Sequence, residues 1–486
     1  MKKPSDLFDR DREWQTLEGF ATNERAGASL GLVYGRRRQG KTFMVEALAE
    51  ATGGFYFAAL QQSAAQNLDR LAEHYQAYSG LRARVVFSTW EEAVGALLAL
   101  GEGRTTPVVV VVDEFPYLLE GAPELPSVLQ VLLSPRGRAA REWPTRLILC
   151  GSALSTMSSL LSGSAPLRGR AGLELMIHPF GFRDAAAFWG VAAKPELAVR
   201  LHALIGGTPA YRDMCHGSAP TSVKQLDSWV AANLLYPASA MFREGRVLLA
   251  EEPKISDASA YFAVLAAIAS GRTRRGEIAG AVGKAEGALA HPLTVLTDAR
   301  LVTPLADALR QKRTTYHIAE PVLRLHQLVI APNEARLGRH QGSAVWSEVA
   351  DTVSARIYGP HYETLCRAWC AEHASFVTLG GAPSDVAPTE IACREHAENH
   401  EVDVVVTEIR SGTARRVTAI GEAKWRAARV GPEQLSRLEH LRDLLDAPDA
   451  KLLLFARSGF GAELAQTAAG RSDVELVDLD RLYAGS

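Results

Sequence analysis

The sequence predicts an α/β protein of several domains, on three observations. Near-continuous apolar runs alternate with helical patterns up to about residue 185, as parallel strands covered on both faces require. A glycine-rich loop, "GRRRQGKT", joins the first of these runs to a helical one. A second series of apolar runs and helices returns near the C-terminal end, behind a stretch rich in breakers. At 486 residues the chain is too long for one hydrophobic core, and about two to four domains are expected.

Each element follows from its pattern. In residues 1–185 the runs "SLGLVYG", "RVVFS", "PVVVVVDEF" and "TRLILCGSA" read as strands of a central parallel sheet. Residues 186–252 read as helical, in "AAAFWG", "ELAVRLHALIGG" and "DSWVAANLLY". In residues 253–333 the pattern shifts, and three helices, "AYFAVLAAIASG", "RRGEIAGAVG" and "PLTVLTDARLV", precede a hairpin, "TPLADALRQKRTTYHIAEP". That order is the winged-helix form of helix-turn-helix. The polar "PNEARLGRHQGSAV" predicts a linker, placed at 334–345. Residues 346–486 open on one long helix, "SEVADTVSARIYGPHYETLCRAWCAEH". Strands "EVDVVVTEI" and "RRVTAIGEAKW" follow, then a helix "PEQLSRLEHLRDLL", a strand "KLLLFAR", another helix and a last strand "VELVDL".

Composition narrows the class. Hydrophobic residues make up 47% and charged residues 22%, as in soluble globular proteins. No charge-free run of 18 apolar residues suggests a membrane span, and the polar "MKKPSDLFDRDREW" has no apolar signal core, so a cytoplasmic protein is expected. The formal net charge of −2 leaves nucleic acid open, for local charge to decide. The cysteines, Cys150, Cys215, Cys366, Cys370 and Cys393, form no C-x-x-C pair. Buried, reduced thiols are expected rather than a zinc or redox motif.

In "VYGRRRQGKTFMVEAL", Gly35, Gly40, Lys41 and Thr42 stand at Walker A spacing between a strand and a helix. Backbone N–H groups of such a loop and the helix N-terminus attract phosphate. Lys41 would reach the β- and γ-phosphates, and the Thr42 hydroxyl would ligate magnesium. Gln39 and Phe43, which flank this core, complete the loop's candidate contacts. The valine run ends in Asp113 and Glu114, at the strand end where ligands sit in parallel sheets. Asp113 would hold magnesium through water, and Glu114 would polarise the attacking water. Ser152, closing "LILCGS", is either a γ-phosphate sensor between these motifs or a turn serine. In "PLRGRAG", Arg168 or Arg170 is either a γ-phosphate ligand or a surface charge, and Arg170 is carried as the candidate.

The runs "LFDRDREWQTL", "GRRRQGKT", "VVVVVDEFPYL", "GSALSTM", "PLRGRAGLELMIHPF" and "IGGTPAYRDM", in that order, resemble the archaeal-type ATPases of the STAND branch of the AAA-like P-loop superfamily. The resemblance spans roughly residues 5 to 335. It implies a P-loop NTPase core, a helical lid over ATP that contains Pro209, and coupling of the nucleotide state to the winged helix. Such proteins often act as slow switches.

Two basic clusters decorate the winged-helix segment: Arg272, Arg274 and Arg275 before its second helix, and Arg310, Lys312 and Arg313 at the wing tip. They can neutralise DNA phosphates. Equally, the segment can be a structural module, since "GKAEGALAHPLTVLTD" is poor in side chains that read bases.

Near the C-terminal end, "VDVVV" places Asp403 on one strand and "GEAKW" places Glu422 and Lys424 on the next, two apart and so on one face. A hairpin would bring Asp403 beside them, and Glu363 in "HYETL" could face the same pocket. Carboxylates with a lysine suit a magnesium site for phosphodiester hydrolysis. A solvated Glu-Lys pair is the bland alternative. The arrangement resembles the PD-(D/E)XK, restriction-endonuclease-like fold, with Asp403, Glu422 and Lys424 at its catalytic positions, Glu363 as the helix carboxylate and Gln434 as a weaker candidate. Val402 stands where that fold often has proline. Arg410, Arg415, Arg416, Arg426 and Arg429 favour a polyanionic partner.

The expectation is therefore an ATPase using ATP and Mg2+, with DNA as partner, no membrane, and homo-oligomerisation left open. Its nucleotide state would control a nuclease-like domain. The alternatives are an ATP-driven switch or a DNA-binding regulator whose nuclease domain is degenerate.

Overall fold

Alternate residues of the valine run serve opposite cores. Val110 and Val112 pack with Trp90, Leu97 and Leu147, whereas Val109 and Val111 pack with Met44, Leu48 and Ile148. A strand buried on both faces can be apolar throughout. In the computed structural model, which describes residues 1–255, 257–310, 312–393, 396–409 and 415–486, this run belongs to a five-stranded parallel sheet. Its strands are β1 (Ser29–Tyr34), β2 (Phe55–Ala58), β3 (Val108–Asp113), β4 (Thr145–Gly151) and β5 (Ala171–Met176). The order is β2-β3-β4-β1-β5, with every neighbouring pair parallel. β4 therefore stands between the strand that leads into the glycine-rich loop and the strand that ends in Asp113.

One expected strand is not in the sheet. "RVVFS" is irregular and leaves Val86 61% exposed. The edge is formed by "FYFA" instead, whose Phe55 and Phe57 are buried while Tyr56 and Ala58 are half-buried.

The chain divides into two compact units. Met1–Pro179 and Ala250–Ser256 form the first, and Phe180–Leu249 with Asp257–Ser486 form the second. In the second unit, helices span most of 180–249. Three further helices, Ala258–Ala269, Arg275–Val282 and Ala290–Asp298, lead into an antiparallel hairpin of β6 (Val302–Ala306) and β7 (Thr314–Ile318).

The stretch read as a linker, 334–345, is helical. It lies in helices Ala331–Leu337 and Gly342–Glu348. Pro332 closely follows a π turn at His326–Ile330, within a helical run that is continuous from Pro321, and a π turn is where a helix accommodates a missing N–H. Leu337 and Val345 are fully buried in the main core of this unit, and Arg336 pairs with Glu348 at 2.6 Å. The polar residues are the solvent face of an amphipathic pair of helices. The long helix that follows is interrupted near Val349 and carries a π turn at Ser354–Tyr358 before Gly359–Glu372.

The C-terminal sheet is mixed, with order β12-β11-β10-β9-β8. β8 (Asp385–Cys393), β9 (Glu398–Glu408) and β10 (Arg416–Lys424) are antiparallel, and β11 (Lys451–Ala456) and β12 (Val474–Asp478) continue in parallel. Val404, Val406 and Phe455 meet Tyr362 and Trp369 on one side. Val402, Val405 and Leu454 meet Leu435, Leu438 and Leu441 of the helix Pro432–Leu444 on the other. Among the described residues, no helix is long and apolar enough to cross a membrane.

Candidate functional site

The first site is built on the ends of β1, β3 and β4. The loop after β1 turns with Gly35, where a side chain would meet the Ile177 carbonyl at 2.4 Å, and with Gly40 at φ 84°, which caps the helix Lys41–Thr52. Lys41 is buried, and its ammonium donates to the Arg36 carbonyl at 2.7 Å. Burial lowers its pKa. Gln39 is buried with a partnerless Oε1, while Thr42 and Phe43 are exposed.

Asp113 is almost fully buried. Its Oδ1 accepts from the Glu114 N–H at 2.8 Å and its Oδ2 from the Tyr56 hydroxyl at 3.1 Å. Burial and the Asp113 charge both push the Tyr56 phenol up, so it stays a donor. A buried carboxylate at this strand end fits water-mediated binding of a divalent cation. Glu114 lies in the left-handed region at φ 50° and precedes the helix Phe115–Gly121. Its Oε2 accepts from the Ser152 hydroxyl at 3.1 Å. Ser152 in turn accepts from Arg37 Nε at 3.3 Å. Arg37 also bonds the Tyr117 hydroxyl, and Arg37 and Arg38 both pair with Glu251, at 3.5 and 3.1 Å. Two of the loop's three arginines are thereby tied to the first unit itself.

Ser152 thus stands between the two motifs. Arg168 and Arg170 are held differently: their guanidinium groups donate to the Gly163 and Leu133 carbonyls, at 2.7 and 3.0 Å. Pro209 belongs to the second unit, half-buried ahead of the turn Tyr211–Met214.

The second site lies in the C-terminal sheet. Val404 pairs with Gly421 across β9 and β10, which brings Asp403 beside Glu422, and Asp403 Oδ2 accepts from the Ala423 N–H at 2.8 Å. Lys424 forms an ion pair with Glu422 on their shared face, and Arg437 Nε lies 3.8 Å from the same carboxylate. Glu422 is 3% exposed and its Oε2 has no partner. Burial raises the Asp403 carboxyl well above its usual range, and the charges of Glu363 and Glu422 add to this. Burial likewise raises Glu363, opposed by Arg367 and Lys424. A crowded carboxylate set, half-buried at Glu363 and Asp403 and buried at Glu422 with an orphaned oxygen, fits a divalent cation. Gln434 also has a buried, partnerless Oε1.

The basic side chains are largely engaged. Arg274 and Arg313 both pair with Glu390 of β8, and Arg275 donates to the Glu286 carbonyl at 3.0 Å. Arg415, Arg416 and Arg426 pair with Asp385, Glu408 and Glu433. Arg429 is exposed, and Arg410 lies outside the described residues.

All five cysteines are buried and free of disulfides. One of them departs from the expected inert thiol. Cys393, His396, His400 and His440 bring their ligand-type atoms to within 4.8 Å of one another. The absence of C-x-x-C hid this set. Its signal was Cys-x2-His-x3-His with a distant histidine, and only the fold supplies the fourth member.

Residues 7–211 match the family described as an ATPase domain predominantly from Archaea. This part of the chain is an archaeal-type ATPase domain. An uncharacterized protein of Methanocaldococcus jannaschii is 25% identical over 341 residues, covering 67% of this chain and 69% of its own. Among solved structures, a Walker-type ATPase of Pyrococcus abyssi covers 67% of this chain and 97% of its own, at 19% identity and a TM-score of 0.45. The ORC2 protein of Aeropyrum pernix, solved in ADPNP–ADP complexes, covers 72% and 97%, at 16% identity and a TM-score of 0.45.

Proposed function

We propose that this chain is a STAND-type ATPase whose nucleotide state controls a C-terminal, magnesium-dependent, nuclease-like module acting on DNA. The observation that carries the nuclease half is the gathering of Glu363, Asp403 and Glu422 with Lys424, where the Glu363 and Glu422 charges both act on a half-buried Asp403.

At the nucleotide site, the Gly35–Gly40 loop and the helix behind it would cradle the phosphates, and Lys41 would turn from the Arg36 carbonyl to the β- and γ-phosphates. Thr42 and Asp113 would hold Mg2+. Glu114 would take a proton from water as general base, with Ser152 and Arg37 fixing its carboxylate. In the C-terminal module, Glu363, Asp403 and Glu422 would hold Mg2+, and Lys424 would orient the attacking water. Bound Mg2+ supplies charge stabilisation and a more acidic water. The three-helix and hairpin segment is read as a winged helix. Its Arg274 and Arg313, paired with Glu390, favour a structural role for it over base reading.

Plasmid nicking by the full chain tests the proposal. Nicking in Mg2+ should depend on ATP, fall by about two orders of magnitude or more in Asp403→Ala and Glu422→Ala, and lose its ATP dependence in Lys41→Ala. Undiminished nicking by both carboxylate variants would assign the activity to a contaminant.

A second reading is favoured by the ion pair of Lys424 with Glu422, which engages the lysine within the module. On that reading the chain is an ATP-driven switch whose degenerate nuclease domain grips DNA without cutting it. It requires ATP-dependent change in shape or assembly, blocked by Lys41→Ala. Identical scattering profiles with and without ATP would exclude it.

A further inference from the structure

From the convergence of Cys393, His396, His400 and His440, we propose a structural zinc site that clips the β8–β9 hairpin to the helix Pro432–Leu444. The site does not depend on the nuclease reading.

The four ligands come from separate parts of the domain. Cys393 ends β8, His396 lies in the connection, His400 is on β9, and His440 is on the helix. In the hairpin register Cys393 opposes Glu398 and Ile391 opposes His400, so Cys393 and His400 are diagonal neighbours at the hairpin end. The helix packs Leu435, Leu438 and Leu441 against Ile391 and Val402 of the same strands, which carries His440 to the cluster.

The distances suit a tetrahedral ion. Cys393 Sγ lies 3.3 Å from His396 Nδ1 and 3.4 Å from His440 Nε2. With Zn–S near 2.3 Å and Zn–N near 2.0 Å, adjacent sulfur and nitrogen ligands of a tetrahedral zinc stand about 3.5 Å apart. Hydrogen bonding alone satisfies the cluster poorly. A thiol has one hydrogen to give, two imidazole nitrogens stand at hydrogen-bond distance from it, and the third imidazole keeps a nitrogen with no partner.

His400 supplies an independent indication. Its Nδ1 lies 3.3 Å from the Glu398 carboxylate, and its Nε2 is buried with no partner. A carboxylate on one ring nitrogen fixes the tautomer that leaves the other nitrogen's lone pair free for a metal. The lone pair of a buried, partnerless Nε2, in a cluster whose ligand atoms all lie within 4.8 Å, is what a metal ligand requires.

The donor set selects the metal. One thiolate and three imidazoles suit zinc rather than magnesium or calcium, which take oxygen ligands. Four protein ligands leave no open coordination position, which makes the site structural. On binding, the Cys393 thiol gives its proton to solvent and coordinates as thiolate, and the histidines coordinate as neutral imidazoles. The clip also fixes the helix that carries Arg437, the residue beside Glu422.

The test uses the untagged full chain, purified after growth with zinc and dialysed without chelator. Elemental analysis should give about one zinc per chain, and Cys393→Ser and His440→Ala should each lose it while still binding ATP through the first unit. Cobalt(II) added to the zinc-stripped wild type should give the intense visible bands of a tetrahedral site with thiolate-to-cobalt charge transfer. This reading does not require the variants to fold. A wild type without zinc, full zinc retention in both variants, or a pale six-coordinate cobalt spectrum would each overturn the proposal.

Discussion

Glu114 occupies backbone space that non-glycine residues seldom adopt, at φ 50°, and its carboxylate is held by Ser152, itself held by Arg37. On the proposed function, a group held this way at the end of β3 would take a proton from water. Glu114→Gln keeps the shape and hydrogen bonding but removes the base. It should lower ATP hydrolysis by about 10²–10⁴-fold with ATP affinity retained, as read by phosphate release alongside binding of a fluorescent ATP analogue. Unchanged turnover would strip Glu114 of the role. At this scale the sequence was most legible where partners are adjacent in the chain: Gly40 with Lys41, and Asp113 with Glu114. The Arg37–Ser152 bond spans 115 positions and depends on β4 lying between β1 and β3. Pattern reading identifies strands but not their order, so this link was out of reach. The Cys393 cluster was hidden for the same reason, since His440 arrives on a helix 47 positions away.

At the scale of elements, periodicity succeeded where burial is two-sided or long. The valine run and "KLLLFAR" are strands because their alternate residues serve opposite faces. It failed where the signal was short. "RVVFS" has strand-forming residues but leaves Val86 in solvent, whereas the four-residue "FYFA" pairs with β3. β8 escaped notice because Pro388 and polar residues interrupt it, although it pairs with β9 along most of its length. The 334–345 stretch failed for another reason: its polar residues outnumber Leu337 and Val345, yet those two anchor it in the core. Leu337→Ala should therefore destabilise the second unit by about 2–5 kcal/mol, the range for a large apolar side chain removed from a core. Denaturant unfolding followed by tryptophan fluorescence measures this. A change below about 0.5 kcal/mol, as at a surface position, would restore the linker reading.

For the whole molecule, the two units differ in what they bury. The first buries Arg146, whose guanidinium donates to the Gly27, Asn23 and Arg25 carbonyls, and Lys41, whose ammonium donates to the Arg36 carbonyl. The second encloses histidines, His326 fully and His202 and His317 in part. Burial holds His202, His317 and His326 each down at about 4, and Arg367 and Arg324 lower His317 further. In the unfolded chain an imidazole titrates near 6.5, so between about pH 6.5 and 4 the unfolded state binds more protons. Stability from keeping these rings neutral is therefore complete above about pH 6.5 and is lost as pH falls through about 4. Each ring contributes roughly 3 kcal/mol at most. Glu363 and Asp403, with raised carboxyls, act in the opposite direction. A difference measurement separates the two effects. His326 packs its Cβ and Cγ against Gly245, and glutamine keeps both of those atoms. His326→Gln should flatten the pH dependence of unfolding below pH 6.5 by about one proton, so its stability relative to the wild type should rise between pH 8 and pH 5. Urea melts of both proteins at pH 8, 6.5 and 5 decide it. Parallel loss of stability in the two would show that His326 takes up its proton without unfolding.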